Sequence, residues 1–406
     1  MSLLVPFRAL RPAPPVAARV ASVPYDVVST EEARALAAHE PLSFLRVTRS
    51  EIDLPADVSP YDPRVYVQAA QNLETLTTEA PLVQDAQPSL FLYRLRMGDH
   101  VQTGVAGLFS VDEYEQGLIK KHEKTRKDKE DDRTRHIVEV GAQTGVVFLT
   151  YHASADIDAL VTRGMAGAPL YDLTAPDRVR HEIWPVTGAD ADALVRAFRT
   201  LPALYIADGH HRAASAARAR QDLAHYGKPT AGADHFIAVA FPDNQVQILA
   251  YNRVVKDLAG HSPASLLEAL SAAGMTVTPG PAVPDRAGQA SMYLGDRWYT
   301  IDLPAPPEGA PQDETLDVEV LQRRILQPFL HVGDPRTDKR LDFVGGIRGI
   351  AELERLVTTG KAAVGFSLFP VSVRDLIAIA DAGGIMPPKS TWFEPKLRDG
   401  ILVHRV

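Results

Sequence analysis

The densest chemistry in the chain is the pentapeptide Asp208-Gly209-His210-His211-Arg212. It follows the apolar run 201–207 and precedes an alanine-rich stretch, 213–218. That pattern predicts a strand, a turn and a helix, with the charged groups at the turn. A helix starting there offers unpaired backbone N–H groups and the positive end of its dipole, which suit a phosphate. Gly209 allows close backbone approach, and Arg212 can grip two phosphate oxygens. Asp208, at the strand end, could hold a magnesium ion or a proton. The plainer alternative is an N-capping Asp and a turn glycine.

Three further clusters carry chemistry-bearing side chains. Between Lys120 and His136 stand eight Lys or Arg and five Asp or Glu. Opposite charges recur there at i+3 and i+4, which predicts a helix laced by surface ion pairs. His122, Arg126, Arg133 and His136 are costly for mere solubility, and some are expected to face a polyanion. Near the C-terminus, Lys389 with Ser390 and Thr391 offers a point charge and two hydroxyls to a phosphate. No glycine-rich cradle precedes them, so they are not a P-loop. Asp26, after Pro24-Tyr25, is either a general base or the cap of the next helix.

The elements that must position these groups are legible in part. Ser29 or Thr30 caps a helix from Glu31 to about His39, and 62–79 carries the apolar stripe Val65, Ala69, Leu73, Leu76. Segments 90–97 and 101–111 flank Gly98-Asp99 as a hairpin, and 290–294 and 298–301 flank Gly295-Asp296 as a second. Segments 236–241 and 246–251 are expected to pair across Pro242–Gln245. Gly345-Gly346-Ile347-Arg348-Gly349 reads as a loop with no clear strand before it. Strands and helices without strict alternation predict an α+β fold, with a second unit from about Pro242.

Composition narrows the function classes. The chain has 406 residues and a formal net charge of −8. That size supports two domains, and the charge argues against general nucleic-acid or anionic-membrane binding. Without cysteine there is no disulfide, thiol nucleophile or cysteine-ligated zinc. The N-terminal residues do not read as a secretory signal, and no run is long enough for a membrane helix, so a cytoplasmic location is expected. No G-x-S-x-G, H-E-x-x-H or dinucleotide fingerprint is present.

Taken in order, Pro24–Ser29, Phe44 with Glu51–Pro55, Lys121–Glu123, Asp208–Arg212 and Pro387–Trp392 resemble the hallmarks of a bacterial family of proteins of unknown function, domain family ten-fifteen, labelled ParB-like. Asp208–Arg212 and Pro388–Thr391 also resemble motifs of free serine kinases with a ParB/sulfiredoxin-like domain. Those enzymes phosphorylate free L-serine with ADP or ATP and magnesium. Their catalytic Glu follows Pro-His, where this chain has Asp26 after Pro24-Tyr25.

The resemblance implies a ParB/sulfiredoxin-like mixed-sheet domain over 1–241, with an insertion at about 60–200, and an α/β domain over 242–406 that completes the site. It implies Asp26 and Asp208 as catalytic residues, with Asp208 also a metal ligand. Gly209, His210, His211, Arg212, Lys389, Ser390 and Thr391 would hold phosphate. Tyr25, Lys121, His122 and Arg126 are further contacts. The expected activity is a magnesium-dependent phosphotransferase using ATP or ADP, most simply on free serine, in either direction. A ParB-like nucleotide-hydrolysing switch and a non-catalytic nucleotide sensor are the alternatives.

Overall fold

The computed structural model describes residues 3–79 and 82–406. They divide into two compact units, Met1–Val246 with Pro395–Val406, and Gln247–Glu394. The last twelve residues, which the sequence reading placed in the C-terminal domain, therefore return to the first unit.

The first unit is built on a nine-stranded mixed sheet. Its strands are β1 (Leu4–Val5), β2 (Leu90–Met97), β3 (His100–Ser110), β4 (Ile119–Lys120), β5 (Val147–Tyr151), β6 (Tyr171–Thr174), β7 (Arg180–Val186), β8 (Leu204–Asp208) and β9 (His235–Pro242). Across the sheet they run β4-β8-β5-β9-β3-β2-β7-β6, with β1 also on β3. The pairs β4/β8 and β5/β9 are parallel, and the other pairs antiparallel. The central strands are apolar on both faces, as a doubly covered sheet requires: β5 is buried throughout and β9 from Phe236 onward. Phe109, Phe198 and Phe236 meet with ring centroids 6.3 and 6.4 Å apart. Each such buried ring contributes about 1.5–3 kcal/mol.

The hairpin at Gly98-Asp99 forms as expected, pairing Met97 with His100. The pairing expected across Pro242–Gln245 does not form. Strand β9 takes both its neighbours, β3 and β5, from within the sheet, and Gln247–Leu249 pairs with Trp392–Glu394. Buried strands choose partners by face-to-face burial, which a short polar turn does not override.

Four helices frame the region of interest: α1 (Thr30–Ala37), α2 (Pro63–Glu79), α3 (Lys127–Val140) and α4 (His210–His225). Ser29 caps α1 in a reciprocal box with Glu32. Helix α2 buries Val65, Ala69, Leu73 and Leu76, the predicted stripe, and adds Tyr66. The charged stretch is not one helix. Ile119 and Lys120 form β4, and α3 begins only at Lys127. Helix α3 is also not merely a solvated face: Asp132, Thr134, His136 and Ile137 are buried where it packs on α2 and α4. The close approach of α4 is possible because its inner face is small, with Ala213, Ala216, Ala217 and Ala219 buried.

The second unit carries a six-stranded antiparallel sheet of β10 (Tyr251–Val255), β11 (Val277–Pro279), β12 (Gln289–Leu294), β13 (Arg297–Asp302), β14 (Leu341–Gly345) and β15 (Val364–Leu368). The order is β11-β13-β12-β15-β10-β14. Gly295 and Asp296 both have positive φ, 56° and 63°, which makes the tight hairpin turn between β12 and β13. Strand β14 leads directly into Gly345-Gly346, so the glycine-rich segment has a strand before it, contrary to the sequence reading. Among the described residues, no helix is long and apolar enough to cross a membrane.

Candidate functional site

Strand β8 ends at Asp208 and Gly209 starts α4, the strand-turn-helix predicted from sequence. The register between β8 and β5 shifts between Ile206 and Asp208, an irregularity that re-aims the strand end. Gly209 has φ +96°, a conformation that a side chain would strain. A Cβ there would also stand 3.3 Å from Arg212. No side chain caps the helix, so its first N–H groups lack a local acceptor of that kind.

Arg212 is buried and is the hub of the site. Its Nη1 donates to the Val146 carbonyl at 2.8 Å, and Nη2 donates to both oxygens of Asp26 at 2.8 and 2.6 Å. Its Nε is buried without a partner among the described residues. Burial works against the guanidinium charge, but Asp26, Asp208 and Asp399 outweigh it and hold the proton more tightly. The guanidinium lies 5.8 Å from the Tyr25 ring centroid, and that of Arg133 lies 4.4 Å from it. A cavity of about 30 Å3, enough for a water molecule, is lined by Tyr25, Arg133, His136, Gln143 and Arg212 among others.

Asp208 accepts from Lys396 Nζ at 2.8 Å. Burial opposes its ionisation, but Lys396 and then Arg212 overcome that and keep the carboxyl well below the usual range. Asp208 was expected to bind magnesium. Its carboxylate is taken up by Lys396, and among the described residues no three His, Asp or Glu side chains gather to hold a metal. This donor set does not fit a metal site built by the protein.

His210 does not supply positive charge to the turn, and neither does its neighbour in space, His122. His210 is buried, its ring T-shaped against His122 at 4.4 Å, and its Nε2 faces the His122 N–H at 3.4 Å. Burial drives His210 well below its ordinary range and His122 to about 4, so both are neutral at pH 7. Nδ1 of His122 is buried with no partner among the described residues. His211 accepts the Arg126 backbone N–H at 3.0 Å through Nε2. Arg126 itself is exposed and paired with Asp128, and Lys121 lies 4.2 Å from the Tyr114 ring centroid.

Sequence reasoning missed Asp399 and the role of Lys396. Asp399 is only 1% exposed, its Oδ2 without a partner among the described residues. Its backbone forms a bridge with Ser22 through bonds of 3.1 and 2.9 Å, close in sequence to Asp26. Burial pushes the carboxyl up to about 7; Arg212 pulls it down and Asp26 pushes it further up. The available signal was an Arg398-Asp399-Gly400 charged step inside the apolar run Leu397 to Val403.

The structure thus gathers Asp26, Tyr25, Asp208, Gly209, His210, Arg212 and His122 within the first unit. Lys389, Ser390 and Thr391 belong to the second. There Lys389 has φ +56°, its ammonium 5.7 Å from the Tyr251 ring centroid, and the Ser390 hydroxyl donates to the Pro387 carbonyl at 2.6 Å.

A family described as "Protein of unknown function (DUF1015)" matches residues 4–324. A comparison with curated proteins gave no match. Among solved structures, the chain is similar to a free serine kinase in complex with AMP, at 12% identity and a TM-score of 0.37, covering 73% of this chain and 91% of that one. It is also similar to a conserved hypothetical protein from Pyrococcus furiosus, at 15% identity and 0.35, covering 74% and 95%. A third is C-terminally truncated SbnI from Staphylococcus aureus, at 13% identity and 0.37, covering 74% and 87%. Likenesses this distant carry no argument about what the chain does.

Proposed function

The chain belongs to the DUF1015 family of proteins of unknown function, and we propose that it transfers a phosphoryl group between a nucleotide and the hydroxyl of a small metabolite, free L-serine first. The observation that carries this reading is the Asp26–Arg212 pair, set at a helix N-terminus with no side-chain cap. Phosphoryl transfer asks little covalent work of a protein. It needs neutralised phosphate charge, a positioned acceptor and a base for the incoming hydroxyl.

Here one exchange supplies the first and the last. A phosphate that takes the place of Asp26 on Arg212 gains a buried guanidinium and the helix-end N–H groups beside Gly209. The same displacement frees the Asp26 carboxylate, which is then the base for the acceptor hydroxyl. Asp208, held by Lys396, stays ionised beside Arg212 and keeps the guanidinium in place. Neutral His210 and His122 wall the turn without competing for the anion.

The nucleotide and serine are supported by the motif resemblance at Asp208–Arg212 and Pro388–Thr391, as is a ParB/sulfiredoxin-like assignment of the first unit. On the same ground, Lys389, Ser390 and Thr391 are proposed to contact phosphate or the amino acid. Magnesium enters only as a companion of the nucleotide phosphates, which supply most of its oxygens.

The test is incubation of the purified chain with ATP or ADP, magnesium and an amino-acid mixture, read by mass spectrometry. Phosphoserine is the expected product. Nucleotide loss without a phosphorylated metabolite would replace this reading with a hydrolytic switch. Binding without loss would replace it with a sensor.

A further inference from the structure

Resting on the phosphoryl-transfer reading, we infer that Asp399 is a positioning residue that acts through Arg212, its carboxyl storing the one proton that leaves the guanidinium balanced by Asp26 alone. The inference starts from a charge count. Asp26, Asp208 and Asp399 all act on Arg212, and Lys396 pairs with Asp208, three acids against two bases. With every group ionised, the cluster carries a net negative charge where a phosphate has to enter. One proton removes that excess.

Geometry assigns the proton to Asp399. The Asp26 and Asp208 side chains keep 38% and 28% of their surface exposed and have cationic partners at 2.6 and 2.8 Å. Asp399 is almost wholly buried and its Oδ2 has no partner among the described residues. A buried carboxylate oxygen with no donor is costlier than a neutral carboxyl there, and burial outweighs the backbone bonds from Tyr25 and Val146 that favour the charge.

The backbone holds the group in place. Its residue is bridged to Ser22, and the next, Gly400, has φ +86° and packs so closely on Phe44 that a Cβ would stand 2.5 Å from the ring. The groups facing Asp399 come from three elements: Arg212 from α4, Asp26 and the Tyr25 backbone from the turn Tyr25–Val27, and the Val146 backbone before β5. Arg398, its neighbour in sequence, is turned to Asp177.

The consequence is directional. While Asp399 keeps its proton, Arg212 has Asp26 to exchange for phosphate, the Asp208 charge being matched by Lys396. Once Asp399 ionises, a further, unmatched carboxylate stays beside the guanidinium and repels the incoming anion. ADP affinity therefore falls with rising pH, by about tenfold per pH unit beyond the limb.

The experiment measures ADP binding and phosphoserine formation from pH 5.5 to 9 for the full chain and for Asp399→Asn, which mimics the protonated form. In parallel, 13C NMR of Asp carboxyl carbons is followed through the same range. The expected result is an alkaline limb in ADP affinity that Asp399→Asn lacks, with a resonance titrating near neutrality that the variant also lacks. The wild-type titration stands even if the variant fails to fold. An identical limb in the variant, or no Asp resonance titrating near neutrality, overturns the inference. Phosphoserine formed with no such limb sinks Asp399 and spares the kinase reading. An ADP limb without phosphoserine does the reverse, and no ADP binding at any pH overturns both.

Discussion

Replacing Asp399 by Asn has a stability signature that needs no substrate. In the folded chain burial raises this carboxyl from 3.8 to about 7, a rise of about three pH units. Each unit is worth about 1.4 kcal/mol, so the shift represents about 4 kcal/mol. Below pH 3.8 both folded and unfolded chains hold the proton, and the contribution is fully present. Between pH 3.8 and 7 the unfolded chain has lost a proton that the folded chain keeps, so stability from this group falls as pH rises. Above pH 7 the contribution is gone. Asn does not titrate. Relative to wild type, Asp399→Asn should therefore be more stable by only about 1 kcal/mol at pH 4.5 and by up to about 4 kcal/mol at pH 8. Urea denaturation of both proteins at those two pH values reads the difference directly. A gap between variant and wild type that stays constant with pH would refute the reasoning, because only an Asp399 that titrates in the folded chain as it does in the unfolded one gives no slope.

Other changes test other parts of the site. Arg212→Met leaves the Asp26 carboxylate and the Val146 carbonyl without their donor, and should cost about 3–5 kcal/mol in denaturant unfolding. Gly209→Ala forces a side chain into φ +96° against Arg212, and should cost about 1–2 kcal/mol on thermal unfolding while leaving far-UV circular dichroism unchanged. Ser29→Ala removes the reciprocal cap of α1 and should cost about 1 kcal/mol by the same measurement.

Local signals made the regular elements readable. Two-residue hairpin turns at Gly98-Asp99 and Gly295-Asp296, the Ser29 cap and the stripe of α2 all depend on neighbours a few residues apart, and all formed as expected. What depended on distant partners was not readable. The strand β9 looked like half of a hairpin because its true neighbours, β3 and β5, lie far off in sequence. The stretch 119–126 carries helical charge spacing, yet pairing of Ile119 with Leu204 draws its start into the sheet.

The strand-turn-helix at Asp208 was legible, but its electrostatics were not. Adjacent histidines put charge at the turn on paper, and burial removes it from His210. Asp26 and Arg212 were each singled out, but nothing local tells that they meet. For Asp399 the sequence offers only a charged step in an apolar run; its place beside Ser22 is set by a pairing that spans almost the whole chain.

The central claim is that phosphate and Asp26 compete for Arg212, and that the freed Asp26 carboxylate then serves as base. Titration of ADP against wild type and Asp26→Asn, with phosphoserine measured in the same samples, tests both halves together. The account predicts that the variant binds ADP more tightly, by about tenfold or more because the charge-assisted contacts to both Asp26 oxygens no longer have to be displaced, while making no phosphoserine. Weaker ADP binding together with retained turnover would contradict it.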